Sequence, residues 1–248
     1  MTRLGELYYP KGLALETAQR VLEVEKPMAC NVAYGCRNAC EYCYIRFIEK
    51  GQMRLPKTSP EDLVERQLSK GLKPEGVFLS FDTDLFLKEN RQEAEVLIGL
   101  LGGLNVKVAT LSKINVTSHP FWKQRIRSGM TIVSVDEDFR KKFEPNAAAI
   151  SERIKLLQEV SNYYGGYIWT SMEPYPPPAV WQQDLRKVLE AISFVDFLIF
   201  GKLNYDRRAQ TEEARQFYST AVEQFVDFCR SHKIRHHVKA GTMKFIQH

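Results

Sequence analysis

Cysteine is scarce in this chain: 248 residues carry five, an odd number, with three crowded into one segment and Cys30 and Cys229 standing apart. Disulfide-stapled secreted domains use cysteine densely and in even numbers. Nothing resembling a signal peptide precedes the five, so the expectation is a cytoplasmic protein with reduced thiols. Long apolar runs are missing as well. The longest nearly uncharged stretch, 96–106, falls well short of the roughly 20 residues a membrane helix needs, so no membrane partner is expected. No internal repeat, low-complexity tract or long linker breaks the chain, and one domain is the default at this length. Acidic residues are absent from 231–248, which holds Lys233, Arg235, Lys239 and Lys244 and four of the five histidines.

What is present is an alternation. Short runs of apolar or β-branched residues predict strands at 28–33, 76–81, 105–110, 130–135, 167–172 and 194–200, with a seventh at 235–239. Helical spacing fills the gaps at 60–70 (Ser59 as N-cap), 92–101, 121–127, 147–163, 180–191 and 211–232. Strands alternating with helices predict an α/β fold with a parallel sheet and crossover helices. With 44% hydrophobic residues the chain can bury a sizeable core. The proline cluster at 174–178 sits where a strand should hand over to a helix.

The chemistry is concentrated in Tyr34-Gly35-Cys36-Arg37-Asn38-Ala39-Cys40-Glu41-Tyr42-Cys43-Tyr44. Three thiols spaced three and then two residues apart can grip three corners of an iron–sulfur cubane, leaving one iron without a local cysteine. Structural zinc is the competing reading. It usually takes four ligands as two separated pairs, and this chain offers only Cys30, Cys229 and scattered histidines to complete a set.

Cys-x3-Cys-x2-Cys with an aromatic before the last cysteine resembles the signature of radical S-adenosylmethionine enzymes. The resemblance implies a partial (β/α)6 barrel in a single domain. A 4Fe-4S cluster on Cys36, Cys40 and Cys43 would bind S-adenosylmethionine at its open iron and cleave it to a 5′-deoxyadenosyl radical, with an electron from a reducing partner such as ferredoxin or flavodoxin. The expected division is an N-terminal extension at 1–27, the core barrel at 28–205, and a C-terminal helix with a basic segment at 206–248. In such barrels the residues just after each strand carry the chemistry. Over about 28–205 these segments resemble the spore photoproduct lyase branch. There Leu79-Ser80-Phe81-Asp82-Thr83-Asp84 follows the second strand, Thr110-Leu111-Ser112-Lys113 the third, Ser134-Val135-Asp136 closes the fourth, and Phe143-Glu144-Pro145 comes after.

Carried over residue by residue, the resemblance packs Tyr42 beside the adenosyl group and sets Thr83 and Asp84 on S-adenosylmethionine. It puts Lys113 on the methionyl carboxylate and Ser134 on the ribose. Tyr44 stands where the lyases have a second tyrosine implicated in radical return, the candidate catalytic position. Glu144 and Arg153 are expected to pair with each other or cap a helix. One departure is chemical: the lyases' hydrogen-donating cysteine is replaced by Phe81, whose ring has no such hydrogen to give. Repair of spore photoproduct is therefore not expected. Cys30 and Cys229, in a strand and a helix, read as buried structural thiols.

Charge supplies the substrate clue. Lys and Arg exceed Asp and Glu by 35 to 30, with the excess at the C-terminus. A basic, aromatic-bearing stretch is the footprint of a phosphate-rich partner, so DNA, RNA or a nucleotide is the favoured substrate class. The alternatives are a radical enzyme acting on a small molecule or peptide, and a nucleic-acid-binding module with a structural metal. Asn204, Tyr205 and Lys239, after the last two strands, sit where a substrate would be read.

Overall fold

A computed structural model describes residues 4–49, 52–115 and 126–247. Among them an eight-stranded sheet runs in chain order: β1 (Leu7–Tyr8), β2 (Met28–Cys30), β3 (Gly76–Leu79), β4 (Lys107–Ser112), β5 (Ile126–Thr131), β6 (Tyr167–Tyr175), β7 (Phe197–Lys202) and β8 (Arg235–Val238). The β1 strand pairs antiparallel to β2, and every later neighbour is parallel. First and last strands are not joined, so the sheet is an open, partial barrel with all carboxyl ends of β2 to β8 on one rim.

The helices follow the expected alternation. They are α1 (Gly12–Leu22), α2 (Tyr44–Glu49), α3 (Pro60–Ser69), α4 (Arg91–Gly103), α5 (Glu137–Phe143), α6 (Ile150–Tyr164), α7 (Leu185–Ala191), α8 (Glu212–Ser231) and α9 (Ala240–Gln247). Ser59 caps α3 as its sequence predicts, its hydroxyl accepting from Glu61 N. Helix α8 runs within one residue at each end of the 211–232 expectation, because Ala214, Tyr218, Ala221, Val222, Phe225 and Cys229 bury one face.

Two hydrophobic clusters organise the fold. The larger lies between the sheet's outer face and the crossover helices, with Val77, Leu79, Leu97, Ile98, Leu157, Leu198 and Phe225 fully buried. The smaller fills the lumen. There Ala18, Val21 and Leu22 of α1 meet the inward-pointing Ala29, Phe78, Ala109, Trp169 and Ile199. The α1 helix, about 16 Å long at 1.5 Å per residue, therefore runs inside the barrel. At the carboxyl rim its Leu13 and Thr17 meet Lys239; at the amino rim its C-cap Glu23 pairs with Arg127 and Arg235.

Two sequence expectations are corrected. Strand β5 covers 126–131, four residues before the predicted 130–135, because Gly129 faces a lumen already filled by Trp169 from β6. The helix expected at 121–127 lies largely outside the described residues, and its last two, Ile126 and Arg127, are strand. Residues 4–27 supply an edge strand and the lumen helix. No described helix is long and apolar enough to cross a membrane.

Candidate active site

One cavity of about 1050 Å³ opens at the carboxyl rim, and residues following seven of the strands line it. The loop after β2 supplies Cys36, Cys40, Cys43 and Tyr44; β3 supplies Phe81, Thr83 and Asp84; β4 supplies Lys113. Thr131 ends β5, Ser171 and Glu173 come from β6, Asn204 and Tyr205 follow β7, and Lys239 follows β8. Helix α1 contributes the floor through Leu13, Ala14 and Thr17. The volume is at the upper end of ordinary ligand sites, room for a nucleoside-sized cofactor and a second molecule.

The cysteine loop is braced from several sides. Gly35 has φ +92°, and its N–H donates to Asp82 O at 3.0 Å. Glu41 N donates to Phe143 O at 2.9 Å, and Asn146 Nδ2 to Arg37 O at 2.9 Å. Asp84 is the central tie. Its Oδ2 accepts from Asn38 Nδ2 and from Lys113 N, both at 2.7 Å, while Oδ1 accepts from Ser112 Oγ at 2.6 Å and Phe86 N at 3.2 Å. Four donors fill a carboxylate's acceptor sites. Asp84 thus joins the cysteine loop to the end of β4, and its oxygens are already engaged.

The same holds for Tyr42. Its hydroxyl donates to Glu144 Oε1, and Glu144 Oε2 lies 2.6 Å from Arg153 Nη2, both residues of that ion pair being 1% exposed. The expected Glu144–Arg153 pairing is present, and Arg153 also donates to Thr131 O and Ala148 O. Lys113 Nζ stands 5.6 Å from the centroid of the Tyr42 ring. Among the described residues no carboxylate oxygen lies within 4 Å of it. Burial presses the Lys113 ammonium downward, yet Cys40 once ionised, with Glu144, Cys43 and Asp84, outweighs that and holds it above its usual range.

Tyr44 opens α2, and its hydroxyl donates to Phe81 O at 3.0 Å and Asp82 Oδ1 at 3.2 Å. Burial first, then the Asp82 charge, keeps this phenol protonated far above the usual range. Asn31, buried just after β2, steadies the corner: its Nδ2 donates to Asp82 Oδ2 and Tyr8 Oη, and its Oδ1 accepts from Phe81 N. The Phe81 ring stacks on Phe78 at 4.3 Å between centroids and forms an apolar wall of the cavity.

Ser134 is not brought into this group. It is buried, its Oγ accepts from Asp136 N at 3.1 Å, and it does not line the cavity. The four-residue shift of β5 explains the difference: Thr131 ends that strand at the cavity, a residue missed because the strand was placed too late. Glu173 was missed too, since a glutamate before proline carries no motif. Cys30 and Cys229 are fully buried, as expected, with burial pushing each thiol up to about 12.

The basic C-terminal segment does not border the cavity as a unit. In the parallel register Arg235 sits beside Phe197 at the amino end of β8, where it pairs with Glu23. Lys233 precedes it and Lys244 is exposed in α9. Lys239 alone lines the cavity, and at 3% exposure it is bound within the fold.

The donor chemistry of the three-cysteine wall fits an iron–sulfur cluster: three thiols from one loop face an open space. Among the described residues no group of three His, Cys, Asp or Glu is gathered closely enough to hold a metal ion. Burial pushes the Cys36 thiol up to about 11 and Cys40 to about 12, so both are neutral here, and convergence as thiolates requires the cationic charge that iron brings.

No protein-family model matches the sequence, and no curated protein does. Solved structures do match. A spore photoproduct lyase variant with bound S-adenosylmethionine and dinucleoside spore photoproduct superposes with a TM-score of 0.63 at 13% identity, over 96% of this chain and 80% of that one. SuiB of Streptococcus suis bound to S-adenosylmethionine gives 0.63 at 11% identity over 86% of this chain, which spans only 51% of SuiB. A radical SAM methyltransferase from Sphaerobacter thermophilus gives 0.57 at 13% identity, over 86% and 65% of the two chains. All three neighbours are radical S-adenosylmethionine enzymes, and the present chain has their fold.

Proposed function

We propose that this protein is a radical S-adenosylmethionine enzyme, with Cys36, Cys40 and Cys43 holding a 4Fe-4S cluster and S-adenosylmethionine lying in the cavity before them. The observation that carries the reading is positional: the three-cysteine loop follows β2 on the carboxyl rim and shares one cavity with Thr83 and the charged Lys113. Once bound, these groups would supply, with one electron from a ferredoxin- or flavodoxin-like donor, a 5′-deoxyadenosyl radical that abstracts hydrogen from a substrate.

The chain's own residues bind and orient. Lys113, without a carboxylate partner among the described residues, offers an ammonium to the methionyl carboxylate. Thr83 and Thr131 offer hydroxyls at the rim, Thr131 in the place first given to Ser134. Tyr42, anchored by Glu144, presents its ring to the adenosyl group, and Phe78, Phe81 and Leu111 exclude water from the cavity side. Asp84 acts as a positioning residue for the loop, because its carboxylate is filled by protein donors. Tyr44 is held beside Phe81 by hydrogen bonds and serves the substrate side.

For the substrate, a compact molecule taken whole into the cavity is favoured over a nucleic-acid strand. The basic residues that suggested a phosphate backbone are dispersed, with Arg235 neutralised at the opposite rim. The same dispersion counts against a nucleic-acid-binding module.

Anaerobic reconstitution tests the assignment. The protein should carry about four irons and form 5′-deoxyadenosine on reduction with S-adenosylmethionine. Cys36→Ala, Cys40→Ala and Cys43→Ala should each lose most of that iron, and Cys229→Ala should keep it. One zinc and no iron after anaerobic purification, or equal loss from Cys229→Ala, overturns the reading.

A further inference from the structure

The floor of the cavity, across from the cysteine loop, carries a second set of charged groups that the cofactor reading leaves unused. Lys239 is 3% exposed; its Nζ donates to Leu13 O at 2.9 Å and to Thr17 Oγ1 at 2.5 Å. The same nitrogen stands 3.8 Å from Glu16 Oε2 and 3.8 Å from Glu173 Oε2. Glu16 is itself fixed, Oε1 accepting from Ala240 N at 2.8 Å and from His237 Nε2 at 2.6 Å. A carboxylate only accepts, so the His237 proton is on Nε2.

Glu173 is different. Among the described residues no N–H or O–H donates to its carboxylate, and Lys239 at 3.8 Å is its ion-pair partner. Burial, only partly offset by Lys239, pushes its carboxyl above the usual range. Room for this side chain is made by Gly201 on β7, where a Cβ would stand 2.7 Å from Glu173 Cγ and Cδ. Burial also lowers the His237 ring below its usual range, so it adds no charge near neutrality. Lys202, buried nearby and beyond ion-pair distance, also acts on Glu173, so two carboxylates face two ammoniums, and what the floor offers is the unused acceptor sites at Glu173.

We propose that Glu173, with Lys239 and Thr17 behind it, is a substrate-reading subsite for a primary amine or other cationic hydrogen-bond donor. The substrate of this enzyme is then an amine-bearing compact molecule, whose ammonium is held at the floor while its reactive carbon faces the cysteine wall. This deepens the function proposed above and rests on it for the direction in which the substrate is presented.

The test uses the full chain before iron is added. Butylamine and 1,4-diaminobutane are titrated beside the neutral 1-butanol and 1,4-butanediol and the anionic butyrate and succinate. Binding is followed by NMR of the methyl groups of Leu13 and Ile199, which line the cavity. Amines should shift those methyls at concentrations at least tenfold below their neutral partners, and Glu173→Gln, nearly isosteric, should remove the preference. Preference for anions, or an amine preference that survives Glu173→Gln, overturns the subsite. The amine-over-alcohol comparison in the unaltered protein decides the matter even if the variant folds poorly. Iron content and 5′-deoxyadenosine formation are read separately: normal values with no amine preference defeat the subsite alone, and amine binding without iron defeats the radical reading alone.

Discussion

The two walls of the cavity are built on opposite principles. On the cysteine side the two buried carboxylates are spent inside the protein: Asp84 receives four hydrogen bonds, and Glu144 receives Tyr42 and Arg153. What remains for an incoming group is three thiols and the Lys113 ammonium. On the floor the lysine is tied to α1, and the Glu173 carboxylate is left with open acceptor sites. A wall whose polar atoms satisfy one another is rigid and fixes its ligands' geometry, while a wall with unused acceptors has affinity to offer a molecule that comes and goes.

The comparison can be broken most forcefully at Arg153. Replacing it with Met leaves Glu144 charged and buried without its partner, a change that costs about 3–5 kcal/mol in comparable pairs. Urea unfolding should register that loss, and a loss under about 1 kcal/mol would mean that the bracing described for the cysteine wall is not rigid.

Asp84→Asn is the next largest change on the same wall. It turns one acceptor into a donor facing a donor, and should destabilise by about 1.5–3 kcal/mol. Iron retention after anaerobic reconstitution should fall too, although no cysteine is altered. Full iron content in a folded variant would show that the loop holds its shape without this tie.

Lys113→Ala separates binding from bracing. Affinity for S-adenosylmethionine, measured by anaerobic calorimetry, should drop by about 1.5–3 kcal/mol, roughly ten- to a hundredfold. Stability should fall modestly, since the neighbouring negative groups favour the ammonium in the folded chain. An unchanged affinity would remove Lys113 from the cofactor site.

The smallest effect is expected on the floor and has the opposite sign. A carboxyl whose folded-state affinity for protons is raised binds more protons in the folded chain than in the unfolded one, so its charged form costs stability at neutral pH. That cost vanishes as the pH falls below the ordinary carboxylate range. Glu173→Gln should therefore stabilise the protein at about pH 8 and leave it unchanged near pH 4. Thermal melts at the two values suffice; destabilisation at the higher pH would mean that Glu173 holds the fold together.

Much of this was readable in the sequence because its periodicities were undisturbed. The three-cysteine spacing, the strand-helix alternation and the buried faces of α6 and α8 each announce themselves locally. The misplaced β5 shows where such reading stops. Arg127, Ser128 and Gly129 do not resemble a central strand, and they occupy one because Trp169 fills the lumen at Gly129, where a Cβ would be 2.2 Å from the indole. That is a tertiary fact with no local signature, and it leaves Ser134 outside the residues that line the cavity. The lumen helix was closer to legible: Ala14, Ala18, Val21 and Leu22 have helical spacing, but nothing local says the stripe points into a barrel. Composition also does not record that two charges of the basic tail, Arg235 and Lys239, fall at opposite ends of β8.

Helix α1 also governs traffic. With Ala18, Val21 and Leu22 packed against Phe78, Trp169 and Ile199, the lumen beneath the cavity is filled among the described residues. A molecule lying against that plug would leave only after one bound above it, and no strand could thread through the filled lumen. If the proposed function holds, release of the inner molecule would be set by whichever molecule occupies the outer part of the cavity.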